Sequence, residues 1–145
     1  MVDLAKYPKQ TTYSLFNCED NSLEAVVDLC IAAIQKQCSE THLPAAVHKE
    51  EFKTANAARK MGGIISFVGK LAQKSEPGIT LENPEDQYRI HLVACQIQDE
   101  VSFDVYAYTG FNHISDTRKR DFCSRRYERA QECVHNAFRS LMEGN

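Results

Sequence analysis

The chain has 145 residues, of which 43% are apolar and 26% charged, and its net charge is −3. That length suits one domain with a single core that needs neither a metal nor disulfides. The mild charge excludes whole-molecule attraction to nucleic acid or to anionic membrane, and no apolar run approaches the ~20 residues that span a bilayer.

Met1 to Lys9 lacks the apolar core of a secretory signal. We therefore expect an intracellular, cytoplasmic protein. The cysteines are Cys18, Cys30, Cys38, Cys95, Cys123 and Cys133. They contain no CxxC pair, so neither a zinc ribbon nor a thioredoxin-like redox site is indicated. Buried free thiols in a reducing compartment are the expectation.

Lys9 to Phe16 is rich in β-formers and reads as a short strand. Asn17 to Ser22 is a cluster of turn and cap residues, in which Asn21 or Ser22 can accept the free amides of a helix. That helix runs to about Cys38, with Leu23, Val26, Val27, Cys30, Ile31, Ile34 and Cys38 on one face. A second helical stretch is predicted from about Ala46, with Phe52, Ala55 and Ala58 on one side and Lys49, Glu50, Lys53 and Arg59 largely on the other. Gly62-Gly63 interrupts it. Residues 64–72 fit a buried helix or a strand; the helix formers at 70–74 favour helix, with Glu76-Pro77-Gly78 as its terminator. Ile79 to Glu82 reads as a short edge strand.

The strongest pattern follows. Tyr88–Ile97 and Val101–Phe111 are β-rich runs separated by Gln98-Asp99-Glu100, which is room only for a hairpin turn. A two-residue turn at Asp99-Glu100 pairs Ala94 with Val105, Leu92 with Ala107, Gln96 with Phe103 and Ile90 with Thr109 on an apolar face that packs on helices. The opposite face pairs Cys95 with Asp104, Val93 with Tyr106, His91 with Tyr108 and Ile97 with Ser102. It is amphipathic and aromatic, suited to recognition or to cover by the N-terminal segment or a second copy. A one-residue slip would exchange the faces. A final helix is predicted from about Thr117 to Met142, with Phe122, Cys123, Tyr127, Ala130, Val134, Ala137, Phe138 and Leu141 along its apolar stripe.

No complete catalytic constellation appears. His91 and Cys95 share a strand face but stand ~13 Å apart, too far for a thiolate–imidazole pair. His42, His48, His91, His113 and His135 form neither HxxxH nor HExxH, so no metal is expected. The phosphate-binding patterns GxxxxGK[ST] and GxGxxG are absent, and no cofactor is expected.

One charged segment departs from the average. Arg118, Lys119, Arg120, Arg125, Arg126 and Arg129 are offset only by Asp121 and Glu128, a local balance of +4 that leaves −7 for the remainder. Arg118, Arg125 and Arg129 share one helical face bordered by Phe122. Such a strip suits phosphates or an acidic partner, or else is a solvated face with internal pairs such as Asp121–Arg125 and Arg125–Glu128. From Phe67 onward, the order helix, short strand, two longer strands, helix resembles the topology of a double-stranded RNA-binding domain. The resemblance implies that Arg118, Lys119, Arg120, Arg125 and Arg126 meet phosphates across a groove. It departs from that family in the long Phe111 to Ser124 segment and in the small-residue pattern of the last helix.

The expected fold is α+β in one domain spanning 1–145: two to three N-terminal helices, a small antiparallel sheet of three or four strands, and a long C-terminal helix packed on it. The expected function is non-enzymatic binding or regulation through protein–protein contact, with self-association as a homodimer. The candidate residues are His91, Val93, Tyr106 and Tyr108 on the sheet and Arg118, Lys119, Arg120, Arg125, Arg126 and Arg129 on the helix. A nucleic-acid-binding module is the alternative, and a cysteine-dependent enzyme the third reading.

Overall fold

The computed structural model describes residues 2–16, 18, 22–53 and 75–143. It is a mixed α+β fold in two main layers. The strands are β1 (Val2–Asp3), β2 (Lys9–Leu15), β3 (Ala46–Lys53), β4 (Ser75–Asn83), β5 (Tyr88–Ile97) and β6 (Glu100–Thr109). The α-helices are α1 (Leu23–Glu40) and α2 (Thr117–Glu143), with single 3-10 turns at Leu4–Lys6 and Phe111–His113. The strands form one six-stranded sheet in the order β1-β3-β4-β5-β6-β2. All neighbours are antiparallel except the two-residue β1–β3 pair.

This sheet is larger than the three or four strands expected. Among the described residues there is one N-terminal α-helix rather than two or three. The main discrepancy is Ala46–Lys53, which is a strand and not a helix. Its side chains alternate: Val47 and Lys49 face the helical layer, where the Lys49 ammonium reaches Glu24 (2.9 Å) and Asp28 (2.8 Å) of α1. Phe52 points to the other face and is fully buried. Its expected helical companions Ala55 and Ala58 lie outside the described residues, as do Gly62-Gly63 and the 64–72 segment.

Glu76-Pro77-Gly78 ends no helix; it lies inside β4, an interior strand rather than an edge. Pro77 is tolerated because β5 pairs with β4 only from Gly78 onward, so its missing N–H interrupts no β4–β5 bond. Gly78 is required by space, since a Cβ there would stand 2.0 Å from the Leu92 carbonyl oxygen and 2.7 Å from the Phe52 ring.

The hairpin has its two-residue turn at Gln98-Asp99, one position earlier than expected, with Gln98 in the left-handed region (φ 56°). Partners therefore shift by two: Ala94 pairs with Phe103, Leu92 with Val105, Cys95 with Ser102, Val93 with Asp104 and His91 with Tyr106. An even shift preserves the faces. Ile90, Leu92, Ala94, Val101, Phe103 and Val105 all enter the core against Val27, Ile34, Val134 and Phe138 of the two helices.

The expected β2 and α1 are present. Ser22 caps α1, its Oγ accepting the Ala25 amide at 3.1 Å. The chain then shows a feature that periodicity does not reveal. β1 lies against β3 and β2 against β6, so residues 4–8 cross the face of the sheet away from the helices. Leu4 packs with Phe52 and Val93, while Tyr7 sits edge-on to His91 at 4.8 Å between ring centroids. The Pro8 carbonyl accepts the Ala107 amide. We call residues 2–8 the strap.

Candidate basic face of the C-terminal helix

The start of α2 is fixed by Asp116, whose Oδ1 accepts the amides of Arg118 (3.0 Å) and Lys119 (3.4 Å). From there the six basic residues divide by what they touch. Arg120 donates to the Ile114 carbonyl at 3.3 Å and braces the turn before the helix. Arg126 stands 3.7 Å from Asp86 in the β4–β5 turn and lies over the Phe122 ring, 4.7 Å from its centroid. Burial raises the Asp86 carboxyl above the ordinary carboxylate range, an effect that Arg126 opposes. Arg129 donates to the carbonyl of Thr41, so it satisfies a backbone acceptor just past the end of α1.

Arg118, Lys119 and Arg125 are exposed and have no ion-pair partner among the described residues. The pairs Asp121–Arg125 and Arg125–Glu128 do not form among them. Phe122 is 44% exposed. A half-exposed phenyl ring, stacked by one arginine and flanked on its helical face by Arg118 and Arg125, combines apolar area with unneutralised positive charge. Arginine and aromatic side chains of this kind carry most of the energy at protein interfaces.

The sheet candidates are separated by the strap. His91 and Val93 are 2% and 1% exposed beneath it, so for these two residues the face is covered by the N-terminal segment, one of the outcomes expected from the hairpin, and is not a free recognition surface. Tyr106 is half-buried, and Tyr108 is 51% exposed. Tyr108 lines an open cleft of about 320 Å³ with Tyr7, Pro84, Gln87, Tyr88 and Arg89. The aromatic face and the basic helix face are thus distinct places, and only the second is broadly exposed.

Beneath the strap runs a polar chain that the sequence reading missed. Arg89 and His48 both engage Glu82, at 3.4 and 3.1 Å. The Thr80 hydroxyl donates to Glu50 at 3.4 Å and lies 2.8 Å from His91 Nδ1. Its one legible signal is the alternation His48, Glu50, Phe52. Burial, followed by the nearby Arg89, lowers His91 to about 4. Partial burial works against protonation of His48, but its hydrogen bonds and the Glu82 and Glu50 carboxylates outweigh that and raise it above its ordinary value.

Five of the six cysteines are buried and Cys95 is half-buried. Burial pushes Cys30 and Cys38 up to about 12 and also raises Cys18 and Cys123, which is the opposite of nucleophile activation. No group of three or more His, Cys, Asp or Glu side chains among the described residues is arranged to hold a metal ion. No helix among them is long and apolar enough to cross a membrane. Compared with known proteins, the chain matches no family model, no curated protein and no solved structure.

Proposed function

We propose that this is a non-enzymatic binding protein that engages an acidic or phosphorylated protein partner through the basic face of α2. The observation that carries the reading is the half-exposed Phe122 ring among Arg118, Arg125 and Arg126. Binding there adds burial of an exposed ring to charge pairing, and neither Arg118 nor Arg125 must first give up an ion pair among the described residues. Arg120 and Arg129 serve the fold, since both are spent on backbone carbonyls.

Protein rather than nucleic acid is favoured by the distribution of charge. Only a short strip is basic in a chain of net −3, and the β4–β5 turn next to it carries Glu85 and Asp86. The three strands before α2 also belong to a six-stranded sheet rather than standing alone. Self-association is part of the same proposal. β2 ends the sheet, and among the described residues no strand pairs with its outer edge along Lys9–Leu15, where a second copy can pair. The test is a competition. A fluorescent polyglutamate peptide should bind and be displaced by unlabelled acidic peptide more readily than by duplex RNA. Preferential displacement by duplex RNA would favour the nucleic-acid reading instead. Sedimentation of a dimer that dissociates on Thr11→Pro substitution would support pairing through β2.

A further inference from the structure

The strap covers a buried histidine whose proton inventory can be worked out from its neighbours. Thr80 has one hydroxyl proton, and the Glu50 carboxylate Oε1 at 3.4 Å can only accept. The Thr80 oxygen lies 2.8 Å from His91 Nδ1, and once the ring is an imidazolium Nδ1–H donates to it. An imidazolium carries an N–H on both nitrogens, so Nε2 then needs an acceptor of its own. That atom is buried and has no hydrogen-bond partner among the described residues. Tyr7 at 4.8 Å and Phe52 at 5.3 Å close over the ring, both edge-on, with interplanar angles of 88° and 70°.

Protonated His91 therefore presents Nε2–H where no acceptor waits among the described residues. Among the described residues the titratable and charged groups on this face include His48 and Glu50 on β3, Glu76 and Glu82 on β4, Arg89 on β5, Asp104 and Tyr106 on β6, Lys9 on β2, which pairs with Asp104 at 3.3 Å, and Asp3 and Tyr7 on the strap. Arg89 and a protonated His48 oppose a new charge. Glu82 and Glu50 favour it but already serve Arg89, His48 and Thr80. With no acceptor at Nε2 among the described residues, the partner is water, and an uncompensated buried charge draws it in by opening the thinnest cover. Among the described residues the cover on this side is the strap, held by two β1 residues, one 3-10 turn and the Leu4 and Tyr7 side chains. The other side is held by two full helices.

We propose that protonation of His91, which leaves Nε2–H without an acceptor, releases the 2–8 strap from the sheet while the helical layer stays packed, uncovering Phe52, Val93 and Tyr106 as an apolar surface. The proposal is independent of the basic face of α2. It is tested on the full chain by NMR as pH is lowered from neutral towards about 4. The expected result is loss of the Leu4–Val93 and Tyr7–His91 contacts while contacts between α1 and α2 persist, and retention of the strap contacts to lower pH in His91→Gln. Simultaneous loss of strap and helix contacts, or strap loss at the same pH in His91→Gln, would overturn it. Should His91→Gln fail to fold, the ring nitrogens of ¹⁵N-histidine decide the matter in the wild type. The ring must become the imidazolium, with both nitrogens protonated, at the pH where the strap contacts disappear, and a separation of the two events counts against the proposal.

Discussion

Acidification should destabilise this protein through His91 in particular. The perturbation is a pH titration of unfolding free energy in the wild type and in His91→Gln. In the unfolded chain His91 titrates near the ordinary value of 6.5, and in the fold near about 4. Between those values the unfolded state binds a proton that the folded state does not. Stability is full above the ordinary value and is lost as pH falls towards the lower one. Each pH unit in that window contributes about 1.4 kcal/mol, so the full loss is about 3 kcal/mol. That figure is a ceiling: if the strap opens, the loss stops at the free energy of opening it. His48 acts in the other direction. Its folded value is raised, so its contribution is present below the ordinary value and lost as pH rises through the folded one. The same holds for Asp86 at lower pH, since a raised carboxyl favours the fold as it protonates. The difference between the two proteins cancels both, and urea denaturation at each pH measures it. A wild-type stability that follows the His91→Gln curve throughout that window would refute the reasoning.

Gly78→Ala should destabilise by about 3 kcal/mol or more in urea denaturation, because the added methyl meets a backbone carbonyl that cannot move without breaking the β4–β5 ladder. Phe138→Ala should cost about 3–5 kcal/mol by the same assay, since the ring is fully buried and stacks on Tyr13 at 4.7 Å and packs against Phe103 at 5.1 Å. Among the cysteines resolved by mass spectrometry after brief alkylation of the native protein, Cys95 should label first and the five buried thiols slowly. Rapid labelling of a buried cysteine near neutral pH would revive the cysteine-enzyme reading.

The hairpin was legible because its alternation has a period of two and both faces are strongly typed. Even the displaced turn, at Gln98-Asp99 rather than Asp99-Glu100, left every side chain on the expected face. β3 was not legible. Lys49 lies on the helix-covered face, yet its charge masks the alternation; only the carboxylates of Glu24 and Asp28 on α1 explain its position. The size of the sheet depends on the pairing of β2 with β6, close to 90 residues away in sequence, which no local pattern carries. The basic segment of α2 was legible as charge. What composition cannot disclose is that Arg129 is used by the Thr41 carbonyl and Arg126 by Asp86 and Phe122, because those partners come from other elements. Likewise the face of His91 was readable, but the strap above it follows from where β1 and β2 dock, at opposite edges of the sheet.

The most direct test of the proposed function is the affinity of fluorescent polyglutamate for the wild type and for the Arg118→Glu/Arg125→Glu variant, followed by anisotropy across a salt series. Both arginines are exposed, so the variant should keep the wild-type melting temperature. The account predicts binding that weakens as salt rises and falls by at least about tenfold in the variant, equivalent to about 1.4 kcal/mol. Absence of binding by the wild type, or equal affinity for the two proteins, would contradict it.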